Sequence, residues 1–343
     1  MALSLYVDTD RWRAHQRSVL TAFPGTVPVA KGNGYGLRNR RLAEEATLLG
    51  AGMLAVGTVQ EAAAAQQWFE GDLLVLTPYR ISEDGAALSD RVVRTVSTVD
   101  GAQALAGGRI VVECMTSLRR HGVREEDLVK LRAAIGDAPV EGFAVHLPLE
   151  RPDGSDPVDE VSRWVERLQA AALPVETMFV SHLDTDALSR LGRLHPGTDF
   201  RSRIGTRLWL GDEDALECRA TVLDVTGIAR GERYGYRQQK AAGDGRLLVV
   251  TGGTAHGVGL EAPKYVHGLL PRAKGIARAG LASVNRTLSP FTWTGRQLWF
   301  AEPPHMQVSI LHLPAEIAPP AVGEELRAVL RHTTTHFDRI VDH

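Results

Sequence analysis

Lysine is scarce in this 343-residue chain. Five residues (31, 130, 240, 264 and 274) are lysine among 39 basic ones, and the other 34 are arginine. Where positive charge alone is needed the chain uses a guanidinium, so each lysine is a place to look for amine chemistry that arginine cannot perform. Cysteine is scarcer still: Cys114 and Cys218 have no metal-ligand spacing and make no disulfide framework. A net charge of −2 offers no basic surface for nucleic acid or for an anionic membrane. No run approaches the roughly 20 apolar residues that a membrane-spanning helix needs. The opening Met-Ala-Leu-Ser-Leu-Tyr-Val-Asp lacks the apolar core of a signal peptide. The expectation is a cytoplasmic protein with a small-molecule partner, no nucleic acid, no membrane and no metal. Its 44 % hydrophobic and 23 % charged content is that of an ordinary globular chain, and its length allows two domains or one barrel with an extension.

From about residue 9 to 211, short apolar runs alternate with amphipathic stretches. The candidate strands are Val27–Ala30, Met53–Val56, Leu73–Leu76, Val92–Val96, Ile110–Glu113, Gly142–His146, Thr177–Ser181 and Phe200–Arg203. Between them, Thr58-Val-Gln-Glu61 is a capping box opening an alanine-rich helix. Leu42–Leu49 ends at Gly50, a helix stop. Val158–Ala172 is amphipathic and is followed by Pro174. Eight strand–helix units predict a (β/α)8 barrel, α/β in class, with an open doubly wound sheet as the alternative. Beyond Gly211 the texture changes. Val222–Ile228, Arg246–Thr251, Leu298–Phe300 and Val308–His312 read as strands between Gly- and Pro-rich turns, and Gly323–Arg331 reads as a helix. The expected division is a barrel over 9–211 and a β-rich domain over 212–343, with Leu3–Val7 pairing into the latter.

Lys31 closes the apolar run Val27–Ala30 and opens Lys-Gly-Asn-Gly-Tyr35-Gly. In a (β/α)8 barrel the C-terminal ends of the strands carry the chemistry, and Lys31 lies at the first of them. This hexapeptide resembles the Lys-Ala-Asn-Ala-Tyr-Gly signature of the alanine racemase family, pyridoxal-phosphate enzymes with a barrel and a β-domain. Further pieces follow in the family's order. Gly142-Phe-Ala-Val-His146 is similar to its Gly-x-x-x-His strand, and Ser181-His-Leu-Asp184-Thr185 to its segment ending Asn-Ser. Arg203-Ile-Gly205-Thr206 looks like its Arg-x-Gly block, and Arg120-His-Gly-Val123 like its Arg-x-Gly-Val segment, with Arg119 competing for the arginine position.

The resemblance implies a Schiff-base lysine at Lys31 and phosphate contacts from Tyr35, Ser181, Thr185, Gly205 and Thr206. It also implies an imidazole on the cofactor ring from His146, a donor to the pyridine nitrogen from Arg203, and a substrate-carboxylate partner in Arg120. An arginine at the pyridine nitrogen cannot protonate it, because its pKa lies above about 12; this favours racemisation over decarboxylation or transamination. The family's homodimer, with an active site completed by the partner's β-domain, is implied likewise.

Four family features are missing, one of them the tyrosine that completes the phosphate site near the chain end, where Thr335-His336-Phe-Asp-Arg339 stands. The second catalytic base is a tyrosine in Ile-Gly-Tyr-Ala-Asp-Gly, and Thr254 stands there, in Gly253-Thr-Ala-His256-Gly257. The Cys-Met-Asp-Gln turn reads Pro304-His305-Met306-Gln307, leaving Met306 as a substrate contact, and the lysine that some members carbamylate has Val111 at the nearest position. A threonine hydroxyl is a poor base, so His256 and His305 are the candidate substitutes, with Tyr236 behind them. The reading is therefore a racemase-like isomerase acting on alanine or another small amino acid. The alternatives are a different pyridoxal-phosphate enzyme on this fold and a catalytically impaired cofactor-binding relative.

Overall fold

The computed structural model describes residues 1–81, 88–136, 140–260 and 287–343, which form two compact units. One comprises residues 13–211, the other residues 1–12 and 212–343. Among the described residues no helix is long and apolar enough to cross a membrane.

The first strand, β1 (Leu3–Val7), belongs to the second unit, and α1 (Thr9–Ala22) follows it. The barrel unit then alternates strands and helices. In chain order these are β2 (Val27–Ala30), α2 (Asn39–Leu48), β3 (Met53–Val56), α3 (Val59–Ala65), β4 (Asp72–Val75), β5 (Val92–Val96), α4 (Val99–Ala104), β6 (Ile110–Glu113) and α5 (Leu128–Ile135). They continue with β7 (Val140–Ala144), α6 (Pro157–Ala170), β8 (Thr177–Val180), α7 (Thr185–Leu194), β9 (Asp199–Ile204) and the short α8 (Thr206–Leu210). Strands β2 to β9 are all parallel and close into a barrel through β9 and β2, with Val27 opposite Arg203 and Pro28 opposite Ile204. The open-sheet alternative is thereby replaced by a barrel. The Trp209 indole bonds the Val29 carbonyl at 2.8 Å across that closure.

Why these segments form these elements is local. The strands are four to six residues long and mostly buried on both faces, as parallel strands under helices must be. Helix α3 starts at the expected capping box, Thr58 and Glu61 each bonding the other's backbone N–H. Helix α6 opens with an Asp156 cap and Pro157 in its first turn. Side chains alternate across each strand. Val27, Val29, Met53, Ala55, Leu74, Val93, Val111, Ala144 and Phe179 fill the barrel interior. Their outward neighbours pack under the helices, as Val112, Val145 and Val180 do beneath Val161, Trp164 and Leu191.

The second unit is an eight-stranded, largely antiparallel sheet. To β1 it adds β10 (Leu216–Ile228), β13 (Gly245–Thr251), β14 (Leu288–Trp293), β15 (Arg296–Phe300), β16 (Val308–Pro314), β17 (Glu325–Ala328) and β18 (Arg339–Asp342), while β11 (Arg233–Tyr234) and β12 (Gln239–Lys240) form a small ribbon. The expected pairing of Leu3–Val7 is present, antiparallel to β10 and parallel to β18. One expectation is corrected: Gly323–Arg331 is not a helix. Its Glu325–Ala328 is β17, between β10 and β14, with Leu326 and Ala328 buried and Arg327 exposed. The burial period there is two, and pairing on both sides overrides a helical propensity that has no apolar stripe to support it.

Candidate active site

The barrel's inward alternation delivers the site. Val27 and Val29 face the interior, so Lys31 is the next inward position. Val111 is followed by Glu113, Ala144 by His146 and Phe179 by Ser181 in the same way. Each is the next residue along the inward face at its strand's C-terminal end, so the polar side chains gather in one layer above an apolar plug.

Lys31 is open to solvent, in surroundings dense enough to desolvate its amine. Desolvation first, then the positive charges of Arg120 and Arg203, lower its pKa from the ordinary lysine value, with Glu61 opposing. The turn after it is tightly held. The Glu61 carboxylate accepts from the backbone N–H of Gly32 at 2.8 Å, of Gly57 at 2.6 Å and of Thr58 at 3.2 Å. One carboxylate therefore caps α3 and ties it to the residue beside Lys31. Gly34, at φ +63°, lies so close to the Asn39 backbone that a Cβ there would overlap it. Tyr35 itself is left-handed at φ +55°, a conformation bulky residues seldom adopt. That turn carries its ring into the core and its hydroxyl against Gly205, where a Cβ would collide with the oxygen. Burial pushes the Tyr35 phenol up to about 12, so the hydroxyl is a donor at neutral pH.

Arg203 is buried. Its guanidinium pairs with the equally buried Glu113 at 3.2 Å and donates to the Val145 carbonyl at 2.9 Å. Its Nε–H is buried with no hydrogen-bond partner, an exposed cost in a native interior unless a ligand accepts from it. His146 lies beside Ser181, Nδ1 to Oγ 3.1 Å, and meets the His182 ring edge-on at 4.9 Å. Burial, then Arg203 and Arg120, lower the His146 pKa to about 3, so the ring is neutral at physiological pH. Thr185 and Thr206 are exposed at the first positions of α7 and α8. Asp184 caps α7 by accepting from the Ala187 N–H at 2.8 Å. Arg120 is exposed, and its charge acts on Lys31, His121 and His146.

The neutral imidazole has a consequence for stability. An unfolded histidine binds a proton below about pH 6.5, whereas folded His146 does not until about 3. The contribution is therefore fully present above 6.5 and is lost as pH falls through that window. Urea midpoints are expected to fall from pH 7 to 4, and to fall less steeply in His146→Gln. The variant's remaining slope includes His332, which burial pushes down to about 4.

In the β-rich unit, Thr254, His305 and Met306 line an open cavity of about 590 Å3, and the Thr254 N–H donates to the His305 carbonyl at 2.8 Å. His256, the other candidate substitute base, is buried and absent from that lining. Its Nδ1 accepts from the Gly253 N–H at 3.2 Å, and its Nε2 faces Asp338 at 3.1 Å. With both ring nitrogens engaged, it braces its turn and has no free lone pair for proton transfer. Met306 is exposed and reaches the cavity.

Residues 7–201 match the family model for the alanine racemase N-terminal domain. This chain belongs to the alanine racemase family. The alanine racemase of Desulfovibrio desulfuricans is 27 % identical to it over 156 residues, 41 % of this chain and 42 % of that protein. The chain thus spans less than half the length of the curated relative it matches. Among solved structures, the alanine racemase of Bartonella henselae with covalently bound pyridoxal phosphate superposes with a TM-score of 0.71 at 16 % identity, over 97 % of this chain and 91 % of that one. The alanine racemase of Bacillus anthracis with bound L-Ala-P gives 0.70 at 17 %, over 99 % and 87 %. At such identities the likeness is one of fold. The matched residues lie almost wholly in the barrel unit.

Glu113, Glu61 and His182 had no place in the site as read from sequence. Glu113 was signalled by period alone, as a carboxylate two residues beyond an inward valine. Glu61 was visible only as a helix cap, and its bond to Gly32 spans 29 residues. His182 stands in a left-handed position, φ +63°, with no sequence signal.

Proposed function

We propose that this chain is a pyridoxal-phosphate-dependent racemase of alanine or another small amino acid, anchored to its cofactor through Lys31. The observation that carries the reading is Arg203: a buried, ion-paired guanidinium with one N–H unclaimed, in the same layer as an amine of lowered pKa. The residues present fit the cofactor. Lys31 would hold its aldehyde carbon and Arg203 Nε–H its pyridine nitrogen. The Tyr35 hydroxyl, Ser181, Thr185, Thr206 and the bare backbone of Gly205 would receive the phosphate, with His146 beside the ring. When bound, pyridoxal phosphate supplies an electron sink that acidifies the Cα–H of an amino acid.

The chain's own residues then divide the work. The lowered pKa of Lys31 raises its fraction of free amine, the form that attacks a carbonyl and accepts a proton. Arg203 donates a hydrogen bond and never a proton, and Glu113 offsets its charge from the far side of the guanidinium. His146, neutral, adds no second positive charge beside Arg203. Arg120 supplies the charge near Lys31 that a substrate carboxylate needs. Arg203, unable to give up a proton, would leave the pyridine nitrogen unprotonated, which suits removal and return of one proton. The proposal includes a homodimer with a shared active site, as the family resemblance implies.

A second reading rests on Thr254, which replaces the family's phenolic base: a cofactor-binding relative without racemase activity. One experiment separates the two. Protein reconstituted with pyridoxal phosphate is incubated in deuterated water with both enantiomers of each common amino acid. The racemase reading expects a yellow protein that exchanges Cα–H and inverts at least one of them. A yellow protein with neither exchange nor inversion supports the cofactor-binding relative, and a colourless one sinks both. Gly205→Ala tests the phosphate cradle, because the new Cβ displaces the Tyr35 hydroxyl. Loss of one hydrogen bond to a charged group, about 1.5–3 kcal/mol, weakens cofactor binding about tenfold or more by fluorescence titration.

A further inference from the structure

Glu302 and His305 form a dyad that no family motif supplies. The His305 Nε2 and Glu302 Oε1 are 2.7 Å apart. Glu302 is 5 % exposed and is held from its other side by the Tyr236 N–H, which donates to Oε2 at 2.9 Å. Gly235 packs so closely on this carboxylate that a Cβ there would overlap it. The His305 ring stacks against Tyr236, centroids 4.5 Å apart. The carboxylate therefore fixes the ring and, by accepting from Nε2–H, assigns the lone pair to Nδ1. A buried acid orienting an imidazole whose other nitrogen is left as acceptor is the arrangement of a general base. Both residues line the 590 Å3 cavity together with Thr254, Met306 and Arg237. Threonine stands at the position where the family's tyrosine is expected, and His305 lies on the same cavity wall, joined to it by a backbone hydrogen bond.

We propose that His305, oriented by Glu302, is the second proton-transfer group of this protein, offered to the other subunit's barrel in the homodimer proposed above, the function lost at position 254 having moved to position 305. The inference rests on the racemase reading and adds the base that reading lacks. The step balances simply. Nδ1 would take the Cα proton of the bound amino acid, and the electron sink that pyridoxal phosphate would supply would hold the C–H electron pair. Nε2–H stays on Glu302 throughout. In the reverse direction Nδ1–H returns the proton to the same face. His305 is thus a catalytic residue and Glu302 a positioning residue.

The test uses full-length protein reconstituted with pyridoxal phosphate, in deuterated water, with both enantiomers of an amino acid the wild type inverts. His305→Ala, which keeps the backbone bonds, is expected to retain the cofactor's yellow absorbance and deuterium exchange from one enantiomer. Its racemisation falls about 100-fold or more and is partly restored by added imidazole, which a structural role would not allow. Nitrogen-15 spectra supply a readout independent of turnover: a single Nε2–H tautomer for His305 in the wild type and a mixture in Glu302→Gln. A His305→Ala protein that racemises as fast as wild type overturns the dyad and leaves the racemase reading standing. A wild type that binds cofactor and exchanges no Cα–H overturns both. Loss in His305→Ala without imidazole rescue, with the tautomer unchanged in Glu302→Gln, overturns the dyad alone.

Discussion

Lys31→Arg reconstituted with pyridoxal phosphate is expected to be colourless and to exchange no Cα–H, as Lys31→Ala is. The loss in rate is on the order of 10⁴-fold or more, as for removal of a covalent nucleophile elsewhere. Arginine preserves the charge and the length and removes only the amine lone pair, since its pKa stays above about 12. The pair of variants thus separates the electrostatics of the position from its nucleophilicity. Because Lys31 is exposed, both should unfold in urea within about 0.5 kcal/mol of wild type. Absorbance spectra and deuterium exchange report the first effect, urea titration the second. A yellow, exchanging Lys31→Arg protein would take the amine out of the chemistry.

Glu113→Leu should destabilise the protein by about 3–5 kcal/mol, because it strands the Arg203 guanidinium in the barrel interior without its counter-ion. The side chains of the pair are only 5 % and 3 % exposed, so water does not replace the missing carboxylate. Glu113→Leu combined with Arg203→Met should recover most of that loss, since an apolar pair of similar volume costs no desolvation. The double variant would then be stable yet hold pyridoxal phosphate poorly, for want of the Arg203 donor. Urea unfolding of the four proteins closes the cycle. If the single and double variants are equally unstable, the penalty arises from packing and the ion pair carries none of it.

Much of the barrel was legible because its strands are short apolar runs bounded by caps and glycines. All eight were found, four with the bounds expected and four with ends displaced by one or two residues, as for Leu73–Leu76 against β4 (Asp72–Val75). Barrel strands buried on both faces leave little ambiguity of period. The β-rich unit was harder. There β14 and β18 escaped notice, and β17 looked helical because Glu-Glu-Leu-Arg-Ala serves either structure until its neighbours pair with it. The site followed the same division. Residues next to one another along the chain, Lys31 with Tyr35 and Arg203 with Gly205, form readable motifs. The Glu113–Arg203 pair joins positions 90 apart and the His256–Asp338 contact positions 82 apart. No local pattern encodes either. His256 drew attention by proximity to Thr254 in the sequence, yet its ring is spent on the turn. Glu302, a mere three residues from His305, carried no sign of burial in the sequence, and burial is what makes it an orienting group.

Strand β1 lies between β10 and β18, and the Leu3 N–H donates to the Asp338 carboxylate, 335 positions away. During synthesis, at about 5–20 residues per second, β1 therefore exists for some tens of seconds before its last neighbour has been made. Residues 13–211 can all be completed in that interval. The apolar side chains of Leu3, Leu5 and Val7, each fully buried in the finished sheet, have no partner strand until β10 is made and only one until β18 is. Strand β1 thus carries an unpaired edge until β18 has been made. Loss of the few residues of β18 (Arg339–Asp342) would make that temporary edge permanent.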